Sequence, residues 1–318
     1  MTSAERTVAV LAGGLTHERD VSLRSGRRVS AALRDRGLVV EEWDADAGLL
    51  ARLAEHRPDA VVIALHGGAG EDGAVQSVLE MLDVPFVGTD GRACRRAWDK
   101  PTAKAELARA GLVTPEWVVL PHATFRDLGA QAVLDALVAR LGLPLLLKPD
   151  QGGSALGTQV VRAAAELPAA MVGCLAYGDS VLAERYVDGV EVAVTVIEDG
   201  DGPRALPAVE IEPTGEFYDY ATRYTAGLAT FHAPARLDDA AAKAVAELAV
   251  SAHTLLGLRD LSRTDAIVTP DGTAHFLEVN VAPGLTETSL LPMAIECDGG
   301  ELGAVFAALV ERAMTRAR

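Results

Sequence analysis

Lysine is scarce in this chain: Lys100, Lys104, Lys148 and Lys243 are its only lysines among 29 basic residues in 318. Acidic residues number 45, giving a net charge of −16, which argues against an extended nucleic-acid surface. Any polyanionic ligand must then be held by a few placed cations, and each lysine raises the question of why arginine did not serve. Codon bias is the plain alternative answer. Cys94, Cys174 and Cys297 are odd in number and lack CxxC spacing, so neither a disulfide framework nor a zinc site is indicated and buried thiols are expected. No run approaches the length of a membrane span, and MTSAERTVAVLAGG holds no apolar core of signal-peptide length. A cytoplasmic protein without membrane association is expected. Aromatic residues make up only 4% of the chain while aliphatic ones dominate, as in an ordinary α/β protein.

From Thr7 to Gly88 strand-like runs (TVAVLAG, LVVEEWDA, DAVVIALHG, VPFVG) alternate with helical ones, a pattern that predicts a parallel sheet covered by helices. Ligands of such sheets bind beyond the carboxyl ends of the strands, where Gly13–Gly14 and His66–Gly67–Gly68 fall. The first loop, GGLTHERD, lacks G-x-G-x-x-G spacing, which disfavours a dinucleotide site. Within it Glu18 is suited either to cap the following helix or to bind an ammonium group. The polar run from Gly91 to Arg109 marks a domain boundary. After it, PLLLKPDQGGSALGTQVV reads as a strand ending at Lys148, a Gly-rich turn and a second strand. Gly152, Gly153 and Gly157 leave backbone N–H groups free to approach phosphate, although an ordinary flexible hairpin has the same signature. It is not a P-loop, because G-K-[ST] is absent. Glu184 and Glu191 flank a short strand and its turn, as base and ribose acceptors would, or as surface carboxylates would. In GEFYDYATRYTAGLATFHAP the tyrosines concentrate without helix or strand period, as in a binding loop or lid.

The stretch SRTDAIVTPDGTAHFLEVNVAPGLTETSL organises the rest. Pro270, Asp271 and Gly272 separate two strand-like runs and predict a hairpin. If Asp271 and Gly272 form a two-residue loop, Asp265 lies opposite Glu278 and Arg263 opposite Asn280, all on one face. The other face carries Thr264, Ala266, Val268, Leu277 and Val279 toward a core. Opposed carboxylates repel, so a cation between them makes sense of the pairing, and Asp, Glu and Asn are oxygen ligands that suit Mg²⁺. A solvated face with a local Arg–Asp–Glu network remains the alternative at this point.

Taken together, GGLTHERDVSLRSG, ALHGGAGEDGAVQ, LLLKPDQGGSALG, EFYDYATRY, RTD and FLEVNVAPGLTETSLLP resemble, in order and spacing, the D-alanine–D-alanine ligases of the ATP-grasp superfamily. The resemblance implies an N-terminal Rossmann-like α/β domain for substrate (1–95) and a two-part ATP-grasp fold, with a central subdomain (96–182) and a C-terminal one (183–318). It implies ATP between two antiparallel sheets and two divalent ions, Mg²⁺ or Mn²⁺, on Asp265, Glu278 and Asn280. Lys100 and Lys148, with Gly153, Ser154 and Arg223, match nucleotide-contacting positions. Glu184 and Glu191 match adenine-side and ribose-side acceptors, and Arg185, Tyr186 and Val187 run along the base. Glu18 matches the carboxylate that receives the first D-alanine's ammonium. Arg263 and the Gly284 N–H match the oxyanion-stabilising groups, and Ser289 and Leu290, near His66, match the second D-alanine's site. Ser154 and Tyr224 match the pair that, with Glu18, ties a lid to the N-terminal domain. The implied reaction joins two D-alanines through a D-alanyl phosphate for peptidoglycan precursors, in a cytoplasmic homodimer. Arg223, Ala155, Ser262, Val281 and Thr288 depart from commoner residues, and Thr288 bears on the acceptor. An acceptor such as D-lactate, D-serine or another amino acid, or a non-catalytic nucleotide-binding regulator, are the alternatives.

Overall fold

A computed structural model describes residues 6–215, 218, 222, 223, 225 and 227–316. The chain opens with β1 (Thr7–Ala12), α1 (Arg19–Arg34), β2 (Val39–Asp44), α2 (Leu49–His56), β3 (Ala60–Ile63), α3 (Ala74–Met81) and β4 (Phe86–Val87). The four strands form a parallel sheet in the order β2-β1-β3-β4, the layout that the alternation predicts. The strand period of two sorts side chains between its faces. Ala9, Leu11, Val61 and Phe86 pack toward α2 and α3, and Val8, Val10, Val62 and Val87 toward α1.

Next come α4 (Gly91–Trp98), α5 (Lys100–Arg109), β5 (Trp117–Pro121), α6 (His122–Leu128), α7 (Ala130–Leu141), β6 (Leu145–Pro149), β7 (Gln159–Val161), α8 (Leu167–Leu175) and β8 (Ser180–Arg185). Asp90 and Asp99 start α4 and α5 by accepting from the N–H groups of Ala93 and Thr102, both at 2.8 Å. The strands form an antiparallel sheet in the order β5-β8-β6-β7. β8 pairs along its length with β5 and β6, so the chain leaves this sheet after Arg185 rather than at the expected 182/183 boundary.

The remainder comprises β9 (Val190–Asp199), β10 (Gly202–Ala205), β11 (Val209–Pro213), β12 (Ala229–His232), α9 (Asp239–Leu255), β13 (Leu261–Val268), β14 (Ala274–Asn280), α10 (Leu290–Cys297) and α11 (Leu302–Arg316). A second antiparallel sheet runs β12-β11-β9-β13-β14, with β10 on β9. α4, α5 and α9 cover one face of it through Val192, Val194, Ala266 and Phe276. α10 packs on the opposite face of this sheet against β9 and β11, while α11 folds back onto the first sheet, where Phe306, Leu309 and Val310 share a core with Val8 and Val62.

Arginines fasten that return. Asp260 is fully buried, accepts from the N–H of Gly88 at 2.7 Å, and takes both Nη atoms of Arg316 in a fork. Glu198 accepts from the Asp260 N–H at 3.2 Å and from Arg312 at 3.0 Å. Of the cysteines, Cys94 and Cys174 are buried as expected, whereas Cys297 is partly exposed.

The hairpin β13–β14 departs instructively from expectation. Asp265 does face Glu278, Thr264 faces Val279 and Arg263 faces Asn280, but beyond Asp265 the register shifts so that Ala266 faces Phe276. The N–H of Thr269 bonds Thr273 across a three-residue loop, Pro270–Gly272, with Gly272 at φ +82°. The loop is thus one residue longer than the predicted two, and a bulge at Leu277 absorbs the extra residue before the charged positions. The bulge also moves Leu277 off the core face, where Phe276 and Ala274 stand in its place.

Candidate active site

Two adjoining cavities lie between the sheets. One, of about 430 Å³, is lined by Lys148, Glu184, Glu191, Asp265 and Leu277, together with Arg185, Tyr186 and Val187. The other, of about 510 Å³, is lined by Glu18, His66, Ser154, Arg263, Asn280, Gly284, Ser289 and Leu290. Lys100, Gly152, Gly153, Tyr218, Arg223 and Glu278 line both. All the sequence-predicted site residues therefore gather here except Tyr224, which lies outside the described residues.

In the first cavity two buried lysines stand beside the arginines Arg185, Arg223 and Arg236. Lys148, at the end of β6, lies 3.2 Å from Glu184 and 4.0 Å from Glu278, and Lys100, at the start of α5, lies 3.8 Å from Glu278. Lys100 also donates to the Gly152 carbonyl at 2.7 Å, tying α5 to the Gly-rich turn. Burial works against each ammonium; for Lys148 the two glutamates outweigh it and raise its pKa, while for Lys100 burial prevails and lowers it. Glu278 shows the reverse balance: burial favours its neutral acid, but Lys100 and Lys148 hold its pKa down at about 2. For Glu191 burial outweighs the pull of Arg223 and pushes it up to about 7.

Glu184 is 1% exposed and ion-paired on both sides, to Lys148 and, at 2.8 Å, to Lys104. Burial opposes its charge, and these two lysines more than restore it, so its pKa is lowered. Neither approach meets hydrogen-bond angles, so both carboxylate oxygens lack a directed donor. Close charges rather than directed bonds hold this carboxylate at the wall of the first cavity.

Asp265 and Glu278 face each other across β13 and β14, with Asn280 one pair further on. Arg263 grips Asp265 through Nε at 2.7 Å and Nη2 at 2.8 Å, and Asn280 Oδ1 accepts from the N–H of Ala282 at 2.8 Å. The local Arg–Asp network envisaged as an alternative is therefore present, but buried rather than solvated. Each oxygen keeps a second lone pair, and the set of hard oxygens suits Mg²⁺ or Mn²⁺. Among the described residues no three His, Cys, Asp or Glu side chains gather as a ready-made metal cage. An ion here would complete its shell with water or phosphate oxygens, which is how Mg²⁺ is commonly held.

In the second cavity Glu18 stands at the N-cap of α1, but its side chain makes no capping bond. It accepts instead from the Ser154 hydroxyl, linking the first domain to the Gly-rich turn. Ser154 and Ala155 take left-handed φ of +52° and +56°, a conformation that non-glycine residues hold at a cost and that gathers at functional sites. His66 is buried, bonded through Nδ1 to the Ala282 carbonyl at 3.0 Å and through Nε2 to Ser25 Oγ at 2.8 Å; burial lowers its pKa. A neutral ring with the proton on Nδ1 satisfies both contacts. The Leu285 N–H donates to the same Ser25 at 3.2 Å, so this chain fixes the turn that carries Gly284. A Cβ on Gly284 would stand 2.7 Å from Ser289 Oγ, which explains the glycine. Ser289 Oγ itself accepts from the Thr286 N–H at 3.0 Å.

Two buried groups escaped the sequence reading. Glu71 lines the second cavity, accepts from the Gly67 N–H at 2.7 Å, and is pushed up to about 8 by burial and by Glu18. Lys104 is fully buried behind Glu184 and drops to about 8, chiefly through burial. The scarcity of lysine pointed toward Lys104, and GEDG toward Glu71, but neither signal names a contact.

The model of the D-alanine–D-alanine ligase C-terminus matches residues 107–312, and that of the N-terminus residues 39–89. A D-alanine–D-alanine ligase of Anaeromyxobacter sp. is 43% identical over 96% of this chain and 95% of its own length. The ligase of Bacillus anthracis complexed with ATP superposes with a TM-score of 0.83 at 26% identity, over 99% of both chains. The VanG D-Ala:D-Ser ligase from Enterococcus faecalis also superposes at 0.83 and 26% identity, over 97% of this chain and 99% of its own. Sequence, fold and the two adjoining cavities agree, and the chain belongs to the D-alanine–D-alanine ligase family.

Proposed function

We propose that this enzyme uses ATP to join two D-alanines, and that the meeting of its two cavities at Lys100, Gly153, Arg223 and Glu278 carries this reading. The first cavity takes ATP: Lys100, Lys148 and Arg223 meet phosphates, Gly153 and Ser154 offer the Gly-rich turn, Glu184 and Glu191 accept from base and ribose, and Arg185, Tyr186 and Val187 flank the base. The second takes the amino acids: Glu18 holds the first ammonium, and Ser289 and Leu290, near His66, hold the second carboxylate. The first D-alanine carboxylate attacks the γ-phosphorus, its bond to ADP breaks, and an acyl phosphate forms. The second amine then attacks the acyl carbon, and after loss of a proton phosphate leaves with the C–O electron pair.

The protein's part is positioning and charge stabilisation. Arg263, which Asp265 keeps charged and oriented, and the Gly284 N–H face the oxyanion. Asp265, Glu278 and Asn280 would hold Mg²⁺ or Mn²⁺, which when bound neutralises phosphate charge. Tyr224 belongs to the same proposal through the family pattern alone. A homodimer is likewise proposed, to be checked by sedimentation, as is a cytoplasmic location; among the described residues no helix is long and apolar enough to cross a membrane.

Phosphate release on mixing protein, ATP and D-alanine, abolished by EDTA and restored by Mg²⁺, is the expected result. Release only with another acid overturns the substrate assignment. Offering D-alanine, D-serine and D-lactate together and identifying the product settles the acceptor, the question that Thr288 at the second cavity raises.

A further inference from the structure

Lys104 is a fully buried lysine on α5 that lines neither cavity. Among the described residues its ammonium meets the Glu184 carboxylate at 2.8 Å and the Phe276 carbonyl at 3.5 Å. Burying an ammonium is costly, and an apolar side chain of similar length would pack between α5 and β14 without that cost. The position therefore calls for a reason beyond packing, and Glu184 supplies one. That carboxylate is reached by Lys104 at Oε1 and by Lys148 at Oε2, but only Glu184 and Lys148 face the first cavity.

Without Lys104, the buried Glu184 is left, among the described residues, with Lys148 as its ion-pair partner, and the cation meant for phosphate is spent on a carboxylate. With it, the five side chains Lys100, Lys104, Lys148, Glu184 and Glu278 keep one positive charge in excess. Lys104 also misses hydrogen-bond angles to Glu184, so it supplies charge without occupying the lone pairs that a base amino group would use. We propose that Lys104 is a positioning residue for the nucleotide, holding Glu184 charged and in place from behind so that Glu184 reads the base and Lys148 stays available to phosphate. This rests on the reading of Glu184 as the adenine-side acceptor.

Three full-length variants, K104M, E184Q and K104M/E184Q, test it through KM for ATP, KM for D-alanine and the preference for ATP over GTP. The expected result for K104M is a rise in KM for ATP of roughly ten- to hundredfold, the effect of losing a bond to a charged group. KM for D-alanine should move less than about threefold on the same scale. In the E184Q background the further substitution of Lys104 should change KM for ATP by less than about twofold, because the two act through one contact. An unchanged KM for ATP in folded K104M, an equal rise for both substrates, or the same increment in the E184Q background overturns the proposal. If K104M fails to fold, the double variant removes the stranded carboxylate, and its agreement or disagreement with E184Q decides. A normal KM for ATP and normal base preference in E184Q would instead overturn the reading of Glu184 itself.

Discussion

Two clusters of buried charge hold this molecule together, one written in lysine and the other in arginine. Around Asp260 the cations are arginines: Arg316 forks onto its carboxylate, Arg312 bonds the neighbouring Glu198, and the Gly88 N–H fills a remaining site. Bonds are directed, and the groups belong to elements that pack. Around Glu184 and Glu278 the cations are Lys100, Lys104 and Lys148, at separations of 2.8 to 4.0 Å, and the carboxylate oxygens of Glu184 lack directed donors. The first cluster holds its carboxylates by directed bonds and closes an interface, although Arg312 Nε lacks a hydrogen-bond partner; the second leaves the Glu184 oxygens without directed donors and borders a cavity. Scarce lysine is thus concentrated where a point charge on a flexible stem must meet a ligand that comes and goes.

The sharpest test removes charge from one cluster at a time. Glu278→Gln should lower kcat/KM by about 10²- to 10³-fold, the scale for losing one electrostatic contact in a reacting site, with little change in Tm. A loss of stability matching the loss of turnover would erase the distinction. Asp260→Ala should do the opposite, lowering unfolding free energy by about 2–4 kcal/mol, since it strands the Arg316 guanidinium and a buried N–H, while kcat stays near wild type. Urea melts and steady-state rates on the same samples measure both.

Glu71 sharpens the contrast through pH. Its folded pKa of about 8 lies above the ordinary 4.5, so the native state binds this proton more tightly than the unfolded chain does. The stability that this gives is complete below about pH 4.5 and is lost as pH rises toward about 8. Glu71→Gln keeps an acceptor for Gly67 but cannot ionise. Its unfolding free energy relative to wild type should therefore climb by on the order of 2–4 kcal/mol between about pH 5 and 8. A difference that stays flat with pH would show that Glu71 does not titrate in that window. The smallest effect is expected for Arg223→Lys, which keeps a charge at the junction of the cavities but loses the stacking over the Tyr218 ring at 4.6 Å. KM for ATP should rise about two- to fivefold, and a larger loss would mean that the guanidinium plane itself holds phosphate.

Much of this was legible from residue order, for reasons that differ by region. The parallel sheet followed from strand and helix periods, because each strand is buried by its immediate neighbours in sequence. The opposition of Asp265 and Glu278 followed from the turn at Asp271–Gly272, yet its success needed two errors to cancel. The loop holds three residues and β14 holds a bulge at Leu277, so the register is right at the charged pair and wrong between it and the loop. A period-two pattern cannot show a bulge whose extra residue is itself apolar. The partners of Lys104 and Asp260 were invisible because they are distant in sequence: Lys104 meets Glu184, and Asp260 meets Gly88 and Arg316. Glu18 was ambiguous between capping α1 and binding an ammonium; the folded structure shows no capping bond and a contact with Ser154, which lies far along the chain.

The return of α11 to the first sheet has a consequence for the order of synthesis. On the ribosome β1 to β4 are made first, with α1, α2 and α3 to cover them, but the core of Val8, Val62 and Val87 also needs Ile295, Phe306, Leu309 and Val310. Those residues emerge last, after the whole of both antiparallel sheets. The nascent N-terminal sheet must therefore wait, partly uncovered, while the nucleotide-facing layers fold. Arg316 reaches Asp260 and the Phe86 carbonyl only when the final turn of α11 is available. Translation of α11 thus completes the core of the parallel sheet, and a ribosome stalled before it would display that core incomplete to chaperones.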